Sequence, residues 1–241
     1  MADKVCPTGD AGTLEPLKQS YAIQRLVLNN TQLQGELEAI ASCLKLRVLD
    51  LRDTFVSDTL EPLMPVLNSM QELLLGHTGI HGTLQALSLG INLKRIDLSR
   101  TKVSGPLNAL GGCKSLQFLD ASYCPLLTGT LYPIKDCSHL QELNFSSCIN
   151  LTGNVQALQM LPVLRRVRMK DVEGVTGLDV LHELVERCSV SWGASLREAT
   201  PQADEDEEDD QGTNLMDAVP KEGDSRTVMA LSLHQDIRPA V

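Results

Sequence analysis

The sequence predicts an α/β solenoid, in which short parallel strands alternate with 3-10 or short helical turns on the opposite side. Three observations predict it: an apolar pattern that recurs every 23 or 24 residues, a pair of apolar residues two apart in each unit, and few aromatic residues. The 241-residue chain is 42% hydrophobic but only 3% aromatic. Its core must therefore be mainly aliphatic, and it must be shared between units, because one such unit cannot bury its leucines alone.

The repeat consists of apolar or small positions that keep their spacing through seven units. The second position lies three residues after the first, the third follows two residues later, and the fourth three residues after that. The first positions are Ile23, Leu46, Met70, Leu93, Leu116, Leu140 and Leu164. The third positions are Leu28, Leu51, Leu75, Leu98, Ala121, Phe145 and Met169. The fourth positions are Thr31, Thr54, Thr78, Thr101, Cys124, Cys148 and Val172.

Each unit predicts a strand, a turn and a short return segment. The second and third positions are two residues apart, so both side chains point to the same face of a strand. A Gly then recurs at 35, 82, 105, 129, 153 and 177, with Asp58 in the missing place, and it allows the backbone to turn. Pairs such as Leu107 and Leu110, three apart, suit a 3-10 or single helical turn. Proline near the start of this return, as at Pro62, Pro106 and Pro133, is tolerated there.

The pattern LxxLxLxxT/CxLxGxLxxL resembles the leucine-rich repeat family, within the ribonuclease-inhibitor-like solenoid superfamily, over roughly residues 12–193. The resemblance implies a horseshoe with a parallel β-sheet on its concave side and 3-10 or short helical segments on its convex side. The family usually has Asn at the fourth position, where its side chain satisfies backbone groups. Thr is expected to do this less completely and Cys only weakly, so these are atypical repeats.

Three segments are expected along the chain. Residues 1–22 form a degenerate partial repeat, residues 23–193 form the repeat domain of about seven units that closes on Trp192, and residues 194–241 form a disordered acidic tail. The charge is uneven: the chain has a net charge of −10, and residues 200–241 contribute 11 acidic and 3 basic side chains to it. The run Asp204–Asp210 is typical of a solvated, unfolded segment.

No catalytic group, cofactor site or metal site is predicted. His77 and His81 are four apart, but the repeat places them at a strand end and in a loop rather than on one helix face. The Gly residues belong to the repeat, so no phosphate-binding loop is present. A nearly neutral body and an acidic tail disfavour a nucleic-acid partner. No apolar run reaches about 18 residues, which disfavours a membrane-spanning helix.

Seven cysteines without a secretory leader favour a reducing compartment, so the expected location is cytoplasmic, with the nucleus as an alternative, and not secreted. Cys113 and Cys137, like Cys124 and Cys148, are one repeat apart. Stacking would bring each pair near disulfide distance. We nevertheless expect buried free thiols that fill their repeat columns.

The predicted site is the concave face of the sheet, where outward residues alternate with the core leucines. Phe118 and Tyr123 are expected to point outward beside Asp97, Arg100 and Asp120, and aromatic residues with Arg are typical of binding hot spots. Arg166, Arg168 and Lys170 are expected to form a basic edge on the last full strand. The complete predicted partner-binding set is Asp97, Arg100, Phe118, Asp120, Tyr123, Asn144, Arg166, Arg168 and Lys170.

The leading functional hypothesis is a non-enzymatic module that binds a protein partner of unknown identity on the concave face. One alternative is an acidic nuclear protein that binds basic partners such as histones, because the order of repeats and acidic tail is similar to that of acidic leucine-rich nuclear phosphoproteins. Another is a fragment or subunit of a larger assembly. A weak intramolecular contact between the acidic tail and the basic end of the concave face is also expected.

Overall fold

The computed structural model describes residues 12–177 and 181–192. In these residues, eight parallel strands form the main sheet, in the spatial order of the chain. They are β1 (Arg25–Val27), β3 (Val48–Asp50), β5 (Glu72–Leu74), β7 (Arg95–Asp97), β9 (Phe118–Asp120), β11 (Glu142–Asn144), β13 (Arg166–Met169) and β15 (Ser189–Trp192). Each strand pairs with the strand one repeat away, which confirms the predicted solenoid with a parallel sheet.

A second, five-stranded parallel sheet runs along the side of the solenoid, and the sequence reasoning did not predict it. It contains β6 (His81–Thr83), β8 (Lys102–Pro106), β10 (Leu127–Thr130), β12 (Leu151–Asn154) and β14 (Gly174–Thr176). A two-stranded sheet of β2 (Gln34–Gly35) and β4 (Phe55–Val56) forms in the described part of the first units. The segment around each repeated Gly is therefore extended and bonded to its neighbours, not merely a turn.

The return segments are short helical turns, as predicted. They are the 3-10 segments Glu15–Leu17, Leu37–Ile40, Glu61–Leu63, Leu84–Leu89, Leu107–Gly112 and Tyr132–Asp136, then the helix α1 (Gln156–Gln159). The last described unit differs, because it has the seven-residue helix α2 (Leu181–Arg187) in the same place. Pro62 and Pro133 lie in the first turn of their segments, and Pro106 lies immediately before its segment.

The main sheet has the register that the repeat spacing predicts. Ile96, for example, lies opposite Leu73 on one side and Leu119 on the other, each one repeat away. These second positions and the third-position residues Leu98, Phe145 and Met169 are fully buried. The core is therefore a continuous stack of aliphatic side chains between the main sheet and the return segments.

The fourth position satisfies backbone carbonyls in two different ways. The four Thr side chains donate hydrogen bonds within their own repeat, as Thr101 Oγ1 does to the Leu98 carbonyl at 2.6 Å. The two Cys side chains instead reach the preceding repeat: Cys124 Sγ donates to the Leu98 carbonyl and Cys148 Sγ to the Ala121 carbonyl, each at 3.0 Å. Both residue types thus take over the expected role of Asn, Thr within a unit and Cys between units.

The repeated Gly is required by its backbone conformation. All six of these glycines have positive φ, between 79° and 117°, a region that residues with a Cβ rarely adopt. Asp58, which occupies the missing place, is not among the residues with positive φ. Its carboxylate instead accepts hydrogen bonds from the backbone N–H groups of Leu37 and Thr59, at 2.8 and 2.7 Å. Asp58 therefore ties two adjacent units together at the point where the other units rely on Gly.

Both described ends of the solenoid are packed. Leu14 and Leu17 are buried, and Thr13 forms a parallel bridge with Gln34, one repeat away. At the other end, Val190 and Trp192 are buried in β15. The predicted domain limits at 22 and 193 stay predictions. Residues 1–11 of the predicted partial repeat, and the predicted tail, lie outside the described residues.

Six cysteines of the described chain are buried, which confirms the predicted burial of the cysteines in the repeat columns. Burial raises the pKa of the Cys137 and Cys148 thiols to about 12 and that of Cys113 to about 11. The thiolate is the reactive form of cysteine, so these groups are poor nucleophiles at neutral pH. These thiols lie within the buried core, where they fill space between the repeats.

We predict that replacing the central core residue Leu98 by Ala lowers the free energy of unfolding by about 2–5 kcal/mol, because the substitution leaves a cavity between stacked repeats. Leu44→Ala is the matched control, since Leu44 is 60% exposed, and it should change stability by less than about 0.5 kcal/mol. Denaturant unfolding of the two variants measures both values. Equal losses would contradict the assigned register.

We also predict that stability falls at alkaline pH through the buried thiols. Their pKa is raised above the ordinary value of 9.0, so the unfolded chain loses these protons first. The stability they contribute is complete below about pH 9 and decreases as the pH rises towards 12. Cys137→Ala should remove one such group and reduce the slope between about pH 9 and 10.5 by about 1 kcal/mol per pH unit.

The measurement is the free energy of unfolding in urea across this pH range. Leu110→Ala, a buried substitution without a thiol, is the control and should keep the slope of the unsubstituted chain. An unchanged slope in Cys137→Ala would show that this thiol is not held in its neutral form.

Candidate protein-binding face

The candidate site is the concave face, defined here as the solvent side of the main sheet. Four rows of residues cross it, one residue from each repeat. Row a runs through Arg95, Phe118, Glu142 and Arg166, and row b through Asp97, Asp120, Asn144 and Arg168. Row c contains Ser99, Ser122, Ser146 and Lys170, and row d contains Arg100, Tyr123, Ser147 and Asp171. The sheet register thus brings the predicted site residues onto one surface, across four adjacent strands.

The centre of the face carries two carboxylates that are held in fixed orientations. Oδ1 of Asp97 accepts hydrogen bonds from the backbone N–H and the Oγ of Ser99, at 3.0 and 2.7 Å. Oδ1 of Asp120 does the same with Ser122, at 2.9 and 2.6 Å. Oδ2 of Asp120 also accepts from Asn144 Nδ2 at 2.9 Å. The two aspartates lie directly opposite each other on β7 and β9, so their negative charges stand side by side.

Two Arg–aromatic stacks border this acidic centre. The Arg95 guanidinium lies 4.8 Å from the centre of the Phe118 ring, and the Arg100 guanidinium lies 4.3 Å from the centre of the Tyr123 ring. Such cation–π contacts contribute about 0.5–1 kcal/mol at exposed sites. Phe118 is half-buried and Tyr123 is 49% exposed. Arg95 was missed by the sequence reasoning, although it is one repeat before Phe118 in the same column.

Tyr123 has a left-handed backbone conformation, which is unusual for an aromatic residue. All seven row-d residues, from Asn30 to Asp171, have φ between 55° and 60°. Asn and Asp tolerate this left-handed conformation best, yet Arg100 and Tyr123 adopt it here. It is maintained between repeats, because the N–H of Arg100 donates to the Ser122 carbonyl and that of Tyr123 to the Ser146 carbonyl, both at 2.8 Å.

The basic end of the face has two unpaired cations among the described residues, rather than the three basic side chains of the predicted edge. Arg166 is not a free cation, because its guanidinium pairs with the Glu142 carboxylate one repeat away at 2.8 Å. Arg168 and Lys170 are exposed, and in residues 12–177 and 181–192 neither has a carboxylate within salt-bridge distance. The acidic run that was expected to contact this end lies outside the described residues, so that contact stays a prediction.

At the other end of the face, near β3 and β5, acidic side chains pair with basic side chains of the same face. The sequence analysis did not predict these pairs. Asp50 is only 5% exposed, and its carboxylate accepts two hydrogen bonds from the Arg52 guanidinium, at 2.9 and 2.7 Å. His77 Nδ1 lies 3.0 Å from the Asp53 carboxylate one repeat away. These residues were visible as charged columns in the sequence, but the pairing depends on side-chain geometry. This end therefore offers less free charge to a partner than the centre.

Beyond the concave face, the described residues have a surface depression but neither a metal-ligand cluster nor a helix suited to crossing a membrane. No three side chains of His, Cys, Asp or Glu converge there as metal ligands would. Within the same residues, no helix combines the length and apolar character that a membrane crossing requires. An open depression of about 560 Å³ lies on the opposite side of the solenoid, beside Tyr132 and Met160, and no pair of an acid and a nucleophile lines it.

No protein-family model and no curated protein matches the sequence, but solved structures do. Internalin C2 from Listeria monocytogenes superimposes with a TM-score of 0.58 and 24% identity, covering 76% of each chain. The leucine-rich repeat ectodomain of the Arabidopsis receptor kinase HAESA matches 66% of this chain with a TM-score of 0.59 and 20% identity. The chain has the leucine-rich repeat fold.

A third leucine-rich repeat structure, the plant peptide hormone receptor RGFR1, matches 63% of this chain with a TM-score of 0.58 and 23% identity. This chain covers 25% of RGFR1 and 28% of HAESA, about a quarter of each receptor chain. The predicted resemblance to the leucine-rich repeat family is thus confirmed for the fold. At identities below 25%, the likeness shows the fold alone.

We predict that Asp120→Asn lowers the free energy of unfolding less than Asp120→Ala, which costs about 1–2 kcal/mol, because the Asn variant loses only the hydrogen bond from Asn144 Nδ2. Its amide oxygen can still accept the hydrogen bonds of Ser122, while Ala leaves that backbone N–H without its partner. Asn144 in the next repeat already shows this arrangement, since its Oδ1 accepts from the Ser146 N–H at 3.1 Å. Urea unfolding of both variants tests it, and equal losses would contradict the hydrogen-bond role.

Proposed function

We propose that this leucine-rich repeat chain is a non-enzymatic binding module that holds a protein segment on its concave face. The contact is centred on Phe118 and Tyr123 with their stacked arginines, around Asp97 and Asp120. The remaining predicted residues, Asn144, Arg166, Arg168 and Lys170, border this centre towards β13. The proposal includes a cytoplasmic location, which the buried free thiols support because such thiols suit a reducing compartment.

The observation that carries the proposal is the pair of Arg–aromatic stacks on an otherwise small and polar surface. Arg, Tyr and Phe are enriched in protein interfaces, and Tyr and Arg are enriched in binding hot spots, because they provide a large contact area with a polar group at its edge. Here the stacking also reduces the freedom of the long arginine side chains before any partner arrives. Pre-ordered side chains lose less entropy on binding, which favours affinity.

Two of the solved structures that share the fold support a protein ligand in general terms. HAESA was solved with a peptide hormone, an N-terminally extended form of IDA, and RGFR1 was solved in complex with RGF2. The HAESA ligand is a peptide, and RGFR1 is described as a peptide hormone receptor. Since fold does not determine function, the residues of this chain must carry the specific argument.

The test compares aromatic residues on opposite sides of the solenoid. Tyr132 is a matched control for Tyr123, because it is 62% exposed and stacks with a cation, Lys135, at 3.7 Å, but lies on a return segment. We predict that Phe118→Ala with Tyr123→Ala lowers partner capture at least tenfold, while Tyr132→Ala has little effect. Thermal unfolding should show that both variants stay folded.

The location of the contact is measured with a photo-crosslinking amino acid at position 123 or 132, followed by mass spectrometry of the captured proteins. Specific crosslinks should form at position 123 and be competed by the unlabelled chain. Capture that survives the double substitution, with crosslinks concentrated at position 132, would move the binding site to the opposite side.

A further inference from the structure

The concave face contains two zones of opposite charge whose side chains form no ion pair among the described residues. The acidic zone is Asp97 with Asp120, and the basic zone is Arg168 with Lys170. In the described part of the chain, no basic side chain lies within 4.0 Å of either aspartate carboxylate, and no acidic one lies within that distance of the two basic groups. Elsewhere on the same face, Asp50 and Glu142 are each paired with an arginine.

The acidic zone is arranged to receive a cation. The Oδ1 atoms are occupied by Ser99 and Ser122, which fixes both carboxylates. Arg95 and Arg100, which flank Asp97 on the chain, are directed onto aromatic rings. Arg52 interacts electrostatically with Asp97, but its guanidinium is held in the ion pair with Asp50. Two like charges on neighbouring strands repel each other, so a cation placed between them relieves that repulsion as well as forming its own ion pairs.

Aromatic surface lies on both sides of this zone. Phe118 precedes Asp120 by two residues on β9, and Tyr123 follows it by three, so one ring lies towards each end of the strand. A Lys or Arg side chain that reaches the carboxylates can therefore pack its aliphatic stem against a ring while its charged group meets the aspartates. The combination favours a basic side chain of a protein over a small inorganic cation.

The two zones lie in one row at a fixed spacing. Asp97, Asp120, Asn144 and Arg168 occupy successive strands of row b. Neighbouring strands are about 4.8 Å apart, so the backbone of Arg168 lies about 10 Å from that of Asp120 and about 14 Å from that of Asp97. In an extended peptide, side chains four residues apart point to the same face and are about 13 Å apart. The spacing of the zones therefore matches residues i and i+4 of an extended segment that crosses the strands.

We infer that the bound segment is extended and carries a Lys or Arg over Asp97 and Asp120, with an Asp or Glu four residues away over Arg168 and Lys170. This inference rests on the proposed binding of a protein segment to the concave face and names its chemistry. Complementary charges at two fixed points select the register of the segment. If the segment moves by one strand, its charged side chains no longer lie over the groups of opposite charge.

The inference is tested by NMR titration of the isotope-labelled full chain with two synthetic peptides of identical composition. Both are built from Gly, Ser and Thr with one Lys and one Glu; one peptide has the two charges four residues apart, and the other has them adjacent. The spaced peptide should shift the amides of β7, β9 and β13 and bind about tenfold more tightly than the adjacent one. Its affinity should fall as salt is raised, since the contacts are exposed.

Two double variants identify the contacts. Asp97→Asn with Asp120→Asn removes the charge but keeps oxygens that accept the serine hydrogen bonds, as Asn144 already does. Arg168→Gln with Lys170→Gln removes both positive charges of the basic zone. Both positions are exposed, so the substitutions leave the core unchanged. Each should weaken the spaced peptide about tenfold and bring it close to the affinity of the adjacent peptide. The amide spectra of the unbound variants show whether each remains folded.

The outcomes separate this inference from the proposed function. Equal affinity of the two peptides for the concave face would overturn the spacing and leave concave binding intact. Peptides that perturb neither β9 nor β13 would overturn the inference altogether. In both cases the crosslinking at position 123 decides the proposed function independently, since it requires no particular charge pattern in the captured partner.

Discussion

Hydrogen bonding between successive repeats is the constraint on which the rest of the structure depends. Every strand of the main sheet is three or four residues long, so no repeat can satisfy its own backbone or cover its own leucines. The N–H of Leu98, for example, donates to the carbonyl of Asp120 one repeat away at 2.8 Å. This one-repeat offset aligns the leucines into a common core and, on the other side of the same strands, aligns rows a to d.

The offset also explains how the concave face acquires order without a core of its own. Side chains that are 23 or 24 residues apart in sequence become direct neighbours, so Arg95 can stack on Phe118 and Glu142 can pair with Arg166. The left-handed residues after each strand extend the same ladder and display Arg100 and Tyr123 at its edge. Each of these contacts is weak alone, but the sheet holds them all in position.

The charged side chains of this face are of two kinds, those that pair with each other and those without an ion-pair partner among the described residues. Asp50 and Arg52 neutralise each other at one end, and Glu142 engages Arg166 near the other. The centre keeps two fixed carboxylates, and β13 keeps Arg168 with the adjacent Lys170. Exposed ion pairs add little stability, so leaving these groups unpaired costs the fold little.

The sequence by itself determined the repeat, the strand register and the core, because a period of 23 or 24 residues leaves only one way to stack Leu75 on Leu98 and both on their neighbours. It also placed Phe118 and Tyr123 in outward columns. Only the tertiary structure decided which outward residues pair, as for Arg166 with Glu142 and Arg95 with Phe118. The physical reason is that burial follows from periodicity along the chain, whereas the partner of an exposed side chain depends on distances and rotamers across the sheet.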